Sequence, residues 1–549
     1  MTRTIPSLTP FASKLPAWRL LAYDQPVDGA QALMASLVGA GVDVCFMNPG
    51  TSEMHFVSAL DSVPEMRGVL ALFEGVATGA ADGYARIAGR PAAVLLHLGP
   101  GLANGLANLH NARRAASPVL TIVGAHATDH VRYDAPLQSD IEALARTVSG
   151  WVRTCGTTRD LGQDAVRAVT PASRGQIATL VLPADVSWGE DGEPSSPRTA
   201  AAPEAVADDQ VGAAADVLSR GDGVLLLLGG KALTERGLTA ASRIGVATGA
   251  RLLAETFPAR MERGAGLPAV DRLAYLPEEA EAQLAGVRHL ILVGARAPVA
   301  FFAYPGRRGD LVPAGCAVTV LADAGQDVQA ALERLAGRVA ADAFPVLAPA
   351  SRPAVQPGPL TAVSLASTVA ASLPEHAIVA DEANTSGFAL PRALADAPRH
   401  SLLTLTGARS GRAFRWRRAR RSPPRTGQWY PWKATVAPCI PSRRCGRPHT
   451  SSCRSPMSSP TTAATASSSS ASSHFTGTII SSAWNSPIPR LILPHWPDPW
   501  VCRPSTSPSP TRWAPPCAAP FPRRVPSCWM SLSTGRCEEI VRPALLVGC

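Results

Sequence analysis

Apolar runs that alternate with helix-forming segments are the feature that most restricts how this chain can fold. From residue 29 onward, each apolar run is followed by a segment with the composition of a helix. The runs lie at residues 42–47, 68–73, 92–97, 119–124 and 177–183. Continuous apolar strands joined by helices predict a parallel sheet with helices on both faces. The loops that follow such strands should converge on one crevice, where we expect the functional residues.

Residues 72–89, LFEGVATGAADGYARIAG, place one carboxylate at the point where an apolar strand leads into a helix. Gly and Ala fill most positions after Glu74, so another surface can approach this helix closely. A desolvated carboxyl group stays protonated and can exchange a proton with a ring nitrogen pressed against it. Alternatively, Glu74 is an ordinary first-turn acid that complements the helix dipole. The residues alone leave both interpretations open.

The same alternation continues beyond the first unit and predicts an α/β protein of three domain-like units. The second unit has no dinucleotide fingerprint, so we assign no nucleotide to it. The predicted segments, in chain order, are an irregular extension (1–25), a first α/β unit (26–190), a linker (191–206), a second α/β unit (207–345), a Pro-rich linker (346–359), the start of a third unit (360–407) and a tail (408–549).

The charge of the chain changes abruptly at residue 407. The net charge of +10 hides a tail with 20 Lys and Arg against 3 Asp and Glu, which also holds 8 of the 11 cysteines. The three scattered cysteines before the tail suit a reducing compartment. An apolar run of about 18 residues and the pattern of a signal peptide are both missing. We therefore expect a cytoplasmic protein with no membrane partner.

Residues 408–549 lose the apolar periodicity and allow three interpretations. A basic stretch rich in Ser and Pro is typical of a disordered tail. Interleaved Arg and Trp in RAFRWRRARR would bind nucleic acid through its phosphates. A frame shift explains more, because reading each codon from its third base admits an α/β pattern after Gly407 and a GDG triplet at residues 434–436. We therefore interpret the tail as frame-shifted and mostly disordered, and expect no nucleic-acid partner.

With these residues in view, the chain resembles the thiamine diphosphate enzymes of the acetolactate synthase and 2-oxo-acid decarboxylase superfamily. The resemblance covers residues 27–407 and rests on NPGTSE, the Glu74 segment and LLHLGPGLANGLANLHNA, in that order. The segments APVAFFAYPG and DEANTSG resemble the subgroup similar to the acetolactate synthase large subunit. The resemblance implies a pyrimidine-binding, a central and a diphosphate-binding domain. It also implies a homodimer or homotetramer in which the first domain of one chain faces the third domain of another.

The resemblance also implies roles for particular residues. Glu74 would hydrogen-bond the aminopyrimidine ring of thiamine diphosphate and promote the tautomer that removes the C2 proton, before attack on a 2-oxo acid. His97 matches a proton-transferring histidine of benzoylformate decarboxylases, although a lone histidine at a strand end can be structural. Thr51 lies at a serine position of their NPG loop, next to cofactor and substrate. The resemblance further implies contacts to the cofactor from Asn104, Asn384, Thr385 and Ser386. It implies a contact to the substrate from Gln138.

Two departures from the family pattern change the activity that we expect of this chain. A second active-site histidine of the decarboxylases is missing near residues 301–303, which favours carboligation. The family holds the diphosphate through Mg²⁺ on the Asp of GDG and a later Asn, whereas these positions read Ala434-Thr435-Val436 and Thr461-Thr462.

The sequence therefore predicts an acetolactate synthase-like enzyme, impaired by the loss of its metal ligands and with a truncated third domain. A 2-oxo-acid decarboxylase and a non-catalytic partner subunit are the alternatives. The question of FAD in the central domain stays open.

Overall fold

The computed structural model describes residues 27–195, 203–355, 357–383 and 386–407, together with the backbone of the strand Trp429–Trp432. These residues all belong to one compact unit. The predicted extension (1–25) and the rest of the predicted tail lie outside the described residues. Within the described ranges, no helix is both long and apolar enough to cross a membrane.

The first sheet has six strands, and helices cover both of its faces. Its elements are α1 (Gly29–Gly39), β1 (Val44–Asn48), α2 (Met54–Ser62), β2 (Arg67–Leu70), α3 (Glu74–Ala88), β3 (Ala92–Leu96), α4 (Leu98–Arg114), β4 (Val119–Ala125), α5 (Ile141–Arg146), β5 (Trp151–Thr154), α6 (Leu161–Ser173), β6 (Ile177–Pro183) and α7 (Ala184–Trp188). The strand order is β2-β1-β3-β4-β6-β5, and every neighbouring pair is parallel. One core packs α1, α2 and α6 against the sheet, and a second core packs α3, α4 and α5 against its other face. The parallel sheet predicted from the apolar runs is confirmed.

The sequence analysis missed β5, which lies at an edge of this sheet. Its residues Trp151–Thr154 are half-buried or exposed, whereas all seven residues of β6 are buried. The other edge strand, β2, overlaps the apolar run GVLALF, whereas the sequence of β5, WVRT, has no continuous apolar run. The periodicity that found the other strands of the sheet therefore could not identify this one.

The second sheet has four parallel strands in the order β11-β10-β7-β8. The elements from residue 208 to residue 339 are α8 (Asp208–Ser219), β7 (Val224–Leu228), α9 (Glu235–Thr248), β8 (Arg251–Ala254), β9 (Met261–Arg263), α10 (Pro277–Leu284), β10 (His289–Val293), β11 (Ala317–Ala322) and α11 (Val328–Val339). One core joins α8, α9 and α11 to this sheet.

The third sheet departs from the sequence prediction at both of its edges. Its remaining elements are α12 (Ala362–Ser372), β12 (Ala377–Asp381), α13 (Leu390–Ala393), β13 (His400–Thr404) and β14 (Trp429–Trp432), and its strand order is β14-β12-β13-β9. The strand β9, from the range predicted for the second unit, pairs antiparallel with β13. The strand β14, which lies inside the predicted tail, pairs parallel with β12. The expectation that the tail is mostly disordered stays a prediction, and the aromatic composition of these four residues favours a strand.

A buried arginine near the end of α3 contacts two segments from later parts of the chain. The Arg86 guanidinium group donates to Asp82 Oδ1 at 2.9 Å, and both side chains are buried. It also donates at 3.0 Å each to the carbonyl oxygens of Ala259 and Thr404 and to Thr406 Oγ1. Because removing one partner of a buried charge pair is strongly destabilising, Arg86 holds the last turns of α3 firmly against the segments around residues 259 and 404.

Glu255, which follows β8, lies close enough to Arg86 to interact with its charge and supplies a pH-dependent contribution to stability. Burial raises the pKa of Glu255 from 4.5 to about 7, against the opposing effects of the Gly230 amide and of nearby arginines. An acid whose folded pKa is raised contributes stability that is present below its unfolded pKa and is lost as the pH rises through the folded pKa. At about 1.4 kcal/mol per pKa unit, the loss over this shift is at most about 3.5 kcal/mol.

We therefore expect Glu255→Gln to be more stable than the unsubstituted chain at pH 8, with the advantage shrinking toward pH 4.5. Urea unfolding of both proteins across this pH range measures the difference in their free energies of unfolding. The contributions of the other titrating groups cancel in this difference. A difference that does not change with pH would show that Glu255 is ionised to the same extent in the folded and unfolded states.

Candidate active site

Glu74 begins helix α3 at the carboxyl edge of the first sheet. Its N-cap residue, Phe73, supplies no side-chain acceptor, so the Glu74 carboxylate is the acidic group of the first turn. The Asn104 side chain on α4 donates to Glu74 Oε2 at 3.1 Å. A Cβ atom at Gly101, three residues earlier on α4, would lie 3.5 Å from Glu74 Oε1. The absence of a side chain at Gly101 therefore leaves space beside the carboxylate.

His97 follows β3 and forms a hydrogen bond with a buried acid. Its Nδ1 atom is 2.8 Å from Glu53 Oε2, and the Glu53 side chain is fully buried. The same oxygen accepts a hydrogen bond from the Gly50 amide at 2.7 Å. Burial raises the pKa of the Glu53 carboxyl group, and the Gly50 amide and His97 oppose this shift. This arrangement orients the imidazole ring through Nδ1 and leaves Nε2 outside the pair.

Two glycines allow the Glu53–His97 pair to form. A Cβ atom at Gly50 would lie 2.4 Å from His97 Nδ1, and one at Gly124 would lie 1.6 Å from Glu53 Oε1. Glu53 Oε1 is buried against the backbone of Gly124 without a hydrogen-bond partner. The carboxylate therefore fits only where β4 carries no side chain.

Sequence reasoning gave Glu53 no role, although it ends the NPGTSE motif. The available signal was its spacing, because an acid three residues after Gly50 can accept the hydrogen bond of the Gly50 amide. The partnership with His97 could not be found in this way, because 44 residues separate the two side chains.

Gly101 lies between Glu74 and His97. A Cβ atom on this residue would be 3.5 Å from His97 Cβ as well as 3.5 Å from Glu74 Oε1. The first sheet therefore brings together Glu74, predicted from its helix start, and His97, predicted from the resemblance. The next residue after His97, Leu98, is buried and has a φ of 51°, which is rare for a bulky residue. This backbone conformation starts α4 directly after His97.

The other predicted residues are more dispersed. Thr51 is exposed in a short 3-10 turn, Thr51–Glu53, next to the Gly50 contact. Gln138 lines a cavity of about 630 Å³ together with Leu98 and His126, and neither Thr51 nor His97 lines this cavity. That Thr51, His97 and Gln138 line a substrate pocket stays a prediction.

The predicted diphosphate segment follows β12. Burial raises the pKa of Asp381, whose Oδ1 accepts a hydrogen bond from the Ala383 amide at 3.0 Å. Ser386 is half-buried, and Asn384 and Thr385 lie outside the described residues. Among the residues that the structure describes, no group of three or more Asp, Glu, His or Cys side chains could hold a metal ion. The positions of the predicted GDG triplet and of the later Asn also lie outside the described residues.

The residues around Gly101 fit the pyrimidine half of thiamine diphosphate. The open space that a Cβ atom on Gly101 would fill is flanked by a carboxylate oxygen on one side and by His97 on the other. A carboxylate beside such a space can hold a proton against a ring nitrogen.

The amino-terminal part of the chain matches a family model. Residues 27–145 match the model described as "Thiamine pyrophosphate enzyme, N-terminal TPP binding domain". This range includes Glu53, Glu74, His97 and Asn104. The match supports thiamine diphosphate as the cofactor.

Individual relatives cover more of the chain. IlvX of Mycobacterium tuberculosis, assigned by its name to the acetolactate synthase large subunits, is 61% identical over 386 residues, which are 70% of this chain and 74% of the relative. Benzoylformate decarboxylase of Pseudomonas aeruginosa is 32% identical over 143 residues, which are 26% of this chain and 27% of that enzyme.

A solved structure resembles the described fold. The thiamine diphosphate-dependent 4-hydroxybenzoylformate decarboxylase of Rhodococcus jostii RHA1 gives a TM-score of 0.62 at 21% identity, over 73% of this chain and 80% of that one. At this identity the likeness shows the fold alone. IlvX, which is 61% identical over 74% of its own length, shows the family as well. This chain belongs to the thiamine diphosphate-dependent enzymes, in the group similar to the large subunit of acetolactate synthase.

Proposed function

We propose that this protein derives from an enzyme that decarboxylates a 2-oxo acid, such as pyruvate, and joins the resulting fragment to a second 2-oxo acid. The observation that carries the proposal is the placement of Glu74 and His97 on either side of Gly101. When bound, thiamine diphosphate supplies a carbanion that attacks the carbonyl carbon and holds the electrons left by decarboxylation. The chain supplies binding, orientation and proton transfer.

Each side chain of the site has a distinct part in this proposal. Glu74 holds a proton at its carboxylate and exchanges it with the pyrimidine ring, and Asn104 fixes the carboxylate through Oε2. His97 moves a proton at Nε2 while Glu53 holds Nδ1. Thr51 and Gln138 would contact the 2-oxo acid, and Ser386, with Asn384 and Thr385, would contact the diphosphate.

A 2-oxo-acid decarboxylase is the second candidate, and the Glu53–His97 pair favours it. A histidine held by a buried acid is suited to protonating an intermediate, which leads to release of a free aldehyde. The missing histidine near residues 301–303 argues against it. Product analysis with pyruvate separates the two, because carboligation yields acetolactate and decarboxylation alone yields acetaldehyde.

The geometry of α3 supports a site shared between two chains. Arg86 contacts the end of β13 at Thr404, which pairs with Asp381 in β12, just before the predicted diphosphate segment. At about 1.5 Å of rise per residue, Glu74 lies about 18 Å from Arg86 along α3. One chain therefore presents its two half-sites at opposite ends of this helix. We infer a homodimer or homotetramer in which another copy completes the site at Glu74.

We expect Leu72→Asp to weaken this assembly. Leu72 is 82% exposed and precedes Phe73 and Glu74, so a second copy would cover it. Burying a leucine contributes about 1.5–3 kcal/mol, and the dissociation constant should therefore rise by at least about tenfold. Sedimentation measures this dissociation constant for the restored-frame protein, in which the residues after Gly407 are read in the frame that carries the GDG triplet. Val246→Asp is the control, because Val246 is an exposed residue of α9. Equal assembly of both variants would refute the shared site.

We propose that the missing Mg²⁺ ligands impair the activity of this chain. Mg²⁺ would normally bridge protein oxygens and the diphosphate, but the matching positions at 434–436 and 461–462 supply no carboxylate. Titration with thiamine diphosphate, with and without Mg²⁺, tests whether the cofactor is retained. Failure to bind would favour a non-catalytic partner subunit. Sequencing across the codons for residues 401–412 tests the frame shift.

A further inference from the structure

The tetrapeptide GLAN occurs twice in succession, at residues 101–104 and 105–108. Both copies lie within α4, and a period of four residues places equivalent positions on one face of a helix. This face packs against the first turn of α3. The first copy supplies the space at Gly101 and the Asn104 contact to Glu74 that belong to the proposed cofactor site. The second copy has no role in that site.

The second copy contacts the backbone of the same helical turn. The Asn108 side chain donates from Nδ2 to the carbonyl oxygen of Gly75 at 2.6 Å, and Asn108 is fully buried. A Cβ atom at Gly105 would lie 2.9 Å from Thr78 Cγ2, so the two helices are in close contact here. Asn104 thus holds the carboxylate of Glu74, and Asn108 holds the peptide that follows it.

The first turn of α3 has a further restraint in Thr78. Its hydroxyl group lies 3.1 Å from the carbonyl oxygen of Glu74 and 3.3 Å from that of Gly75. Leu72 is largely exposed, but Ala71 is buried and its carbonyl oxygen accepts a hydrogen bond from the Asn48 side chain. The other end of α3 is anchored by Arg86. The end that carries Glu74 is held by these contacts and by the Asn108 hydrogen bond from α4.

We propose that Asn108 is a positioning residue for Glu74 and that it acts through the Gly75 peptide. The hydrogen bond fixes the direction of the first turn, which determines where the Glu74 side chain leaves the helix. A buried hydrogen bond is suited to this task, because a Gly75 carbonyl turned away from Asn108 would leave a buried donor unsatisfied. The inference rests on the proposed role of Glu74 in the cofactor site.

The test is amide hydrogen exchange of the full chain without cofactor, read separately for the two halves of α3. In Asn108→Ala, amides of residues 77–80 should exchange about tenfold faster, whereas those of residues 83–88 should keep their rates because Arg86 still anchors them. Asn104→Ala is the matched control, from the same position of the repeat. Because Asn104 touches only the Glu74 carboxylate, its loss should leave the amide rates of both halves unchanged.

Two outcomes would overturn the proposal. Equal acceleration along all of α3 would make Asn108 a general stability residue, and unchanged rates at residues 77–80 would leave it without a positioning role. If Asn108→Ala does not fold, Asn108→Ser provides the same comparison with space for a bridging water. The experiment requires no cofactor, so it is separate from the proposed function. Failure of that function would show in cofactor binding and turnover while the exchange pattern persisted.

Discussion

Glu74→Gln in the restored-frame enzyme is expected to slow deprotonation at C2 of bound thiamine diphosphate by about 10²–10⁴-fold. The amide keeps the shape of the side chain and can still accept the Asn104 hydrogen bond, but it has no exchangeable carboxyl proton. Substrate affinity should change little, because Glu74 is proposed to contact the cofactor. Hydrogen–deuterium exchange at C2, followed by NMR, measures the rate directly.

The matched control is Glu65→Gln, which removes an exposed acid outside the site. It should leave the C2 exchange rate unchanged. The chain as written should show no turnover with or without Glu74→Gln, because it supplies no Mg²⁺ ligands at residues 434–436. If the restored enzyme exchanged C2 at the same rate with Gln at position 74, Glu74 would be an ordinary first-turn acid.

Gly124→Ala should expel the Glu53 side chain from its buried position. The added methyl group would lie 1.6 Å from Glu53 Oε1, in space that the carboxylate already fills. Overpacking of this kind costs about 1–3 kcal/mol, and movement of Glu53 also releases His97 Nδ1 and the Gly50 amide. We therefore expect a lower free energy of unfolding together with changed NMR chemical shifts of the His97 imidazole ring.

Gly156→Ala is the control for this substitution, because no atom lies within 4 Å of the position that its Cβ atom would occupy. It should leave both the stability and the His97 signal near those of the unsubstituted protein. A Gly124→Ala variant with unaltered chemical shifts of the His97 ring would show that Glu53 tolerates displacement and that the pair is not a fixed unit.

Local pattern was sufficient for the elements that carry the site. The apolar runs predicted β1, β3, β4 and β6 because a strand buried on both faces has a continuous apolar sequence. The same reasoning placed Glu74 at a helix start, where the structure has it. It did not find β5 or β9, because an edge strand and a three-residue strand carry too little periodicity.

The sequence by itself determined most of the strands and helices, that Glu74 begins a helix and that His97 follows a buried strand. Only the tertiary structure decided that Glu53 pairs with His97, that Gly101 separates His97 from Glu74, and that Arg86 joins α3 to residues far along the chain. The reason is physical. Helix and strand patterns depend on neighbours within a few residues, whereas the partner of a buried charge is set by which side chains the packed sheets bring within hydrogen-bonding distance.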